Sequence, residues 1–237
     1  MNIYTTQAGT VPFTAIEQAI SFSFLHDLPF VPYLARRGEH LLEHRCKEER
    51  APWCLEAFIQ EVNIRKPERI SVHYLGPAAQ VRLLRSSPEK AVGGCREFIS
   101  CLQEKASGPE IYFFLDEPGL SDPSSLEVAL VERTLQDLPV IGGVQVWGNA
   151  NGKINWEKWL SLGAEILGVY NVYNDIREAS SYSRRKRICW QLMRGRKVVD
   201  LRDDDLIASS GLGGVTMTYE DCLVRWQQLQ EVKSCHR

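Results

Sequence analysis

The chain has 237 residues, 44% apolar and 24% charged, with a net charge of −2. That length can bury one sizeable core, and the balance excludes long disordered stretches and any global pull toward nucleic acid or anionic membrane. The seven cysteines are odd in number and none has Cys-x-x-Cys spacing, which argues against a disulfide framework or zinc ribbon and for a reducing, cytoplasmic setting.

Short apolar runs alternate with amphipathic ones. They predict strands over Asn2–Ala8, Leu28–Tyr33, Ile70–Leu75, Ile111–Asp116, Val140–Trp147, Glu165–Asn171, Arg187–Met193 and Asp205–Ser209. Several are rich in β-branched and aromatic residues. Helix starts fall between them. Thr14-Ala-Ile-Glu17 reads as a capping box, with Ile16, Ala19 and Ile20 at helical spacing behind it. Ser87-Pro88-Glu89 supplies a cap and an N1 proline for a helix to about Glu104. Ser124-Ser-Leu-Glu127 opens another, and Thr218-Tyr-Glu-Asp221 opens the last, with Leu223, Trp226 and Leu229 as its inner stripe.

A strand–helix rhythm repeated eight times predicts a single compact (β/α)8 TIM barrel over residues 1–237. There is no Gly-x-Gly-x-x-Gly after the first strand, which weakens a dinucleotide-binding alternative. No stretch approaches the ~18 apolar residues of a membrane span, and the start of the chain lacks a signal-peptide pattern.

The strand ends carry an ordered set of short motifs: Gly9-Thr10-Val11-Pro12-Phe13-Thr14, Leu28-Pro-Phe-Val-Pro32, Leu75-Gly76-Pro77, Leu115-Asp116-Glu117-Pro118, Val146-Trp147-Gly148-Asn149 and Ser209-Ser210-Gly211-Leu212-Gly213. Together these resemble the superfamily of cobalamin-independent methionine synthase (its C-terminal catalytic barrel) and uroporphyrinogen decarboxylase. The resemblance runs from about residue 3 to residue 232. Each motif falls at the C-terminal end of a predicted strand, where barrel enzymes build their sites.

In the methionine synthases, the resemblance implies a zinc held by a His-x-Cys pair, an acidic residue and a final Cys. Those positions are Gln145, Trp147, Tyr170 and Ser210 in this chain. Neutral Gln, Trp, Tyr and Ser are poor zinc ligands, so no metal and no cofactor is expected. Gly9 and Thr10 match the segment for an amino-acid carboxylate, and Asp116 matches the acid that holds an α-amino group. The resemblance thus implies a zinc-free, methyltransferase-like barrel with Asp116 and Glu117 as acid–base candidates. Gly9, Thr10, Gln145, Trp147, Asn149, Tyr170 and Ser210 would contact a small amino-acid-like or folate-like molecule. A metal-independent lyase like uroporphyrinogen decarboxylase, and a non-catalytic descendant that binds a ligand or protein, are the alternatives. Oligomeric state stays open.

Other features read more plainly. His40-Leu-Leu-Glu43-His44 has inverted zinc-protease spacing, but the surrounding charges fit a solvated helix face. Arg36-Arg37 could hold carboxylates over the barrel mouth. The Arg184–Arg187 run precedes a strand and is expected at the opposite face. Gly211-Leu-Gly213-Gly214 suits either a turn or a phosphate-cradling loop. Trp147, Tyr170, Tyr173, Trp190 and Gln191 could fill the former zinc pocket with aromatic surface.

Overall fold

The computed structural model describes residues 2–34, 54–147, 153–170, 176, 186–192, 201–209 and 217–236. Nine strands are described: β1 (Tyr4–Gln7), β2 (Thr10–Val11), β3 (Tyr33–Leu34), β4 (Arg69–Leu75), β5 (Glu110–Pro118), β6 (Ile141–Trp147), β7 (Ile166–Tyr170), β8 (Arg187–Leu192) and β9 (Leu206–Ser209). The helices are α1 (Ile16–Ser23), α2 (Leu55–Arg65), α3 (Pro77–Leu84), α4 (Pro88–Lys105), α5 (Ser125–Leu135), α6 (Trp156–Ser161) and α7 (Tyr219–Cys235).

Seven strands form one parallel sheet in the order β1-β9-β8-β7-β6-β5-β4. Its two edges nearly meet. Leu28 donates its N–H to the Thr5 carbonyl at 3.0 Å, and the Ser71 N–H reaches the Pro29 carbonyl at 2.8 Å. Phe30 forms one parallel bridge to Ser71. The sheet is therefore a near-barrel of seven strands with a short segment between its edges.

That segment corrects the expected second strand, Leu28–Tyr33. Pro29 and Pro32 carry no N–H and cannot sustain a ladder, so pairing is reduced to one bridge. The chain then contributes Tyr33–Leu34 to a separate two-stranded sheet with Thr10–Val11. Gly9 permits the preceding turn. Its φ is +80°, and a Cβ there would approach the Tyr33 ring to 2.9 Å.

Side-chain alternation divides the sheet into two faces. Tyr112, Phe114, Ile166, Cys189, Leu206 and Ala208 pack with Leu28 in one cluster inside the near-barrel. Ile70, Val72, Phe113, Leu115, Val144, Leu167, Ile188 and Ile207 belong to the larger cluster shared with the helices. Glycines make room inside. A Cβ on Gly143 would meet the Phe114 ring at 2.6 Å, and one on Gly168 would meet Gln145 Oε1 at 2.1 Å. Phe114 and Gln145 thus each lie across a glycine on the next strand.

Helix ends follow the expected chemistry at three places. Ser87 caps α4, and complete capping boxes at Ser124–Glu127 and Thr218–Asp221 open α5 and α7. Leu229 is buried in α7 as expected, while Leu223 and Trp226 are partly buried. The Thr14–Glu17 box is absent. The α1 N-cap is Ala15, with no side-chain cap bond, because the helix begins one residue too late for Thr14 to reach its free N–H groups.

At the N-terminal end of the sheet, the Arg69 guanidinium lies 4.7 Å from the Tyr4 ring centre, and Arg187 lies 5.8 Å from that of Tyr112. Arg187 also faces Glu165 at 3.6 Å. This end of the basic run is therefore paired at the face away from the strand C-termini. All cysteines among the described residues are free thiols. Among the same residues, no helix is long and apolar enough to cross a membrane.

Candidate functional site

Strand β5 places Asp116 and Glu117 on opposite faces, as adjacent residues of a strand must be. Both are fully buried. Asp116 shares its face with Tyr112 and Phe114 and so points into the near-barrel. Its Oδ1 lies 2.9 Å from His73 Nδ1 on β4. Its Oδ2 is buried with no partner. Burial pushes the Asp116 carboxyl above the usual carboxylate range, with His73 opposing that shift.

Glu117 points outward, to the start of α3. Its carboxyl oxygens accept the N–H of Ala78 at 3.1 Å and of Ala79 at 2.6 Å. These are among the free N–H groups of the first helical turn. The helix has Gly76 at its N-cap and Pro77 at N1, and no side chain of its own caps it. Burial pushes the Glu117 carboxyl up to about 8, against the pull of the two N–H groups and of Arg82. Leu75-Gly76-Pro77 and Asp116-Glu117-Pro118 are thus one structural unit.

Around Asp116 the inner face is polar. Gln145 is its partner on β6 in the parallel register. Gln145 is fully buried, and neither Oε1 nor Nε2 has a partner. On β8, Gln191 is buried and its Nε2 is likewise unpaired. His73 is 2% exposed and its Nε2 is unpaired. Thr6 and Ser71 close the ring between β1 and β4, with their hydroxyl oxygens 2.5 Å apart. A buried polar atom without a partner costs ~1–3 kcal/mol, and native interiors carry few. Asp116 Oδ2, His73 Nε2, both Gln145 amide atoms and Gln191 Nε2 lie on one inner face of the sheet. They present donors and acceptors together to any polar molecule held there.

Gly9 and Thr10 form the turn after β1, where Thr10 enters β2 and pairs with Tyr33. The backbones of Trp147 and Tyr170 end β6 and β7. Trp190 points to the helix side and is buried, with its indole N–H 3.3 Å from Asp205. Asn149, Tyr173, Ser210, Gly211, Gly213, Gly214, Arg36, Arg37, His40, Glu43, His44, Arg184 and Arg185 lie outside the described residues. Among the described residues, no three His, Cys, Asp or Glu side chains converge as a metal set. Gln145, at one of the implied zinc positions, offers only a neutral amide.

His73 carries no motif and was missed by motif reading. The signal that could have found it is alternation: in Ile70–Leu75 it shares the inward face with Ser71, and it is the strand's only imidazole. A cavity of about 470 Å³ between α4 and the starts of β5 and β6 is lined by Gln103, Gly108, Pro109, Leu138 and Val140. It lies at the opposite end of the strands from Asp116 and shares no residue with this cluster.

No family model, no curated protein and no solved structure matches the chain.

Proposed function

We propose that the chain is a (β/α)8 barrel in which Leu28–Phe30 serves as the second stave, and that its interior binds a small amino-acid-like or folate-like molecule without a metal. The reading extends the motif resemblance to cobalamin-independent methionine synthase and uroporphyrinogen decarboxylase. One observation carries it: Asp116 points inward with Oδ2 buried and unpartnered, beside an unpartnered Gln145 amide. A carboxylate so placed accepts a charge-assisted hydrogen bond from a ligand ammonium or amidine. The Gln145 and Gln191 amides supply donors to the ligand's acceptor groups. Asp116 acts on the ligand, while Glu117 holds the α3 turn beside it. If the barrel is catalytic, its chemistry is methyltransferase-like acid–base work on an activated substrate.

A thermal-unfolding screen tests this against its two rivals. The panel holds free L-amino acids, folates and polycarboxylated tetrapyrroles, each with and without EDTA. Stabilisation by an amino acid or folate, unchanged by EDTA, supports the proposal. Stabilisation by the tetrapyrroles alone supports the lyase reading. No stabilisation by any class supports a non-catalytic descendant that binds a protein partner.

A further inference from the structure

His73 has every feature of a proton-carrying group except an assigned role. Its Nδ1 is fixed 2.9 Å from Asp116 Oδ1. Its ring stacks on Phe114, with centroids 4.6 Å apart and planes 5° from parallel. The Tyr33 hydroxyl donates to its backbone carbonyl at 2.8 Å. Ring plane, ring rotation and backbone are therefore all held, and Nε2 is left buried and unpaired. A hydrogen bond at one imidazole nitrogen sets which proton the other can exchange. An ionised carboxylate can only accept, so with Asp116 ionised the 2.9 Å contact is an Nδ1–H donated to its Oδ1.

We propose that His73 and Asp116 form a dyad whose Nε2 exchanges a proton with a molecule bound in the barrel interior. With Nε2 protonated the pair is an imidazolium–carboxylate ion pair with no net charge. In the transfer step the Nε2–H bond breaks and its electron pair stays on Nε2. The new bond forms to a basic nitrogen or oxygen of the ligand. The ligand gains one positive charge and the pair becomes net negative. The Nδ1–H bond stays intact and keeps donating to Asp116 throughout. The reverse step makes His73 a general base. The other titratable neighbours are few among the described residues. Burial pushes the Cys189 thiol on β8 up, and Asp116 adds to that, while Glu117 lies on the opposite face of β5, where Asp116 acts on it.

The inference rests on reading the interior as a small-molecule site, but not on the ligand being an amino acid. Its test uses the full chain labelled with ¹⁵N-histidine, with His73→Gln for assignment. Long-range ¹H–¹⁵N spectra across pH 5.5–9 read each ring nitrogen, and diethyl pyrocarbonate serves as a small electrophile that reacts at a bare Nε2. The dyad predicts a permanent proton on Nδ1, a titrating Nε2, and carbethoxylation of His73 that tracks the same titration. In Asp116→Asn the midpoint falls to lower pH. A proton fixed on Nε2 with Nδ1 bare, or a His73 that neither titrates nor reacts, overturns the proposal even if amino acids bind. A His73 that titrates and reacts in a protein that binds no amino acid supports it and overturns the amino-acid reading alone.

Discussion

The Glu117 carboxylate stands where a side chain on Gly76 would begin. A Cβ built on Gly76 lies 2.1 Å from Glu117 Oε1 and 2.4 Å from its carboxyl carbon. The glycine admits the carboxylate, and the carboxylate caps the helix that the glycine opens. A double-mutant cycle in urea exposes the coupling. Glu117→Ala leaves two buried N–H groups unpaired and costs about 2–4 kcal/mol. Gly76→Ala costs a similar amount by expelling the carboxylate. In the Glu117→Ala background, Gly76→Ala is nearly neutral. Additive costs would show that the two residues act separately.

The same carboxyl makes stability depend on pH. Its pKa is raised by burial to about 8 in the folded chain. Between the ordinary carboxylate range and pH 8, the folded state holds a proton that the unfolded chain has lost. Its contribution is full below pH ~4.5 and is lost as pH rises through 8. Urea midpoints of Glu117→Gln should fall less than those of wild type across that window. Parallel curves would contradict it.

His26 works with the opposite sign. Its imidazole lies between the Phe22 and Phe30 rings, with centroids 5.1 and 5.2 Å away. Burial lowers its pKa to about 4. The unfolded chain therefore binds a proton between pH 6.5 and 4 that the folded chain refuses. Stability is full above pH 6.5 and falls by ~3 kcal/mol as pH drops to 4. His26→Phe should flatten that acid limb. An unchanged limb would assign acid sensitivity to other groups.

Phe114 couples the core to the polar site, because it fills the space over Gly143 and carries the His73 ring. Gly143→Ala overpacks this point and should cost about 1–3 kcal/mol. It should also move the His73 ring resonances, while a distant change such as Ser124→Ala leaves them in place. Unmoved His73 signals in Gly143→Ala would break the link.

Ser124→Ala and Thr218→Ala should each cost about 1 kcal/mol, and Thr14→Ala close to nothing. These three positions show what was legible in the sequence. A Ser or Thr three residues before an acid signals a box, but only the true first turn decides whether it forms. At Ala15 the backbone is still extended, with φ −91° and ψ 128°, and the box at Thr14 misses by one residue. The parallel strands were legible because Val, Ile, Tyr and Phe mark them. The second stave was not, because the prolines that make its motif also remove its ladder. For the site, Asp116 was legible as a strand-end acid. His73 was not, since a lone inward histidine differs from a core histidine only in its partner, which sits 43 positions away. Asp116-Glu117 read as a pair of acids, yet strand alternation puts them on opposite faces with different partners.

The most direct test of the central claim is isothermal titration of the L-amino acids and folates that stabilise wild type, repeated on Asp116→Asn. The substitution keeps the shape and removes the charge. If Asp116 receives a cationic ligand group in the barrel, affinity falls by at least about tenfold, the worth of one charge-assisted hydrogen bond. Equal affinity for both proteins, or no binding to wild type, would contradict the account.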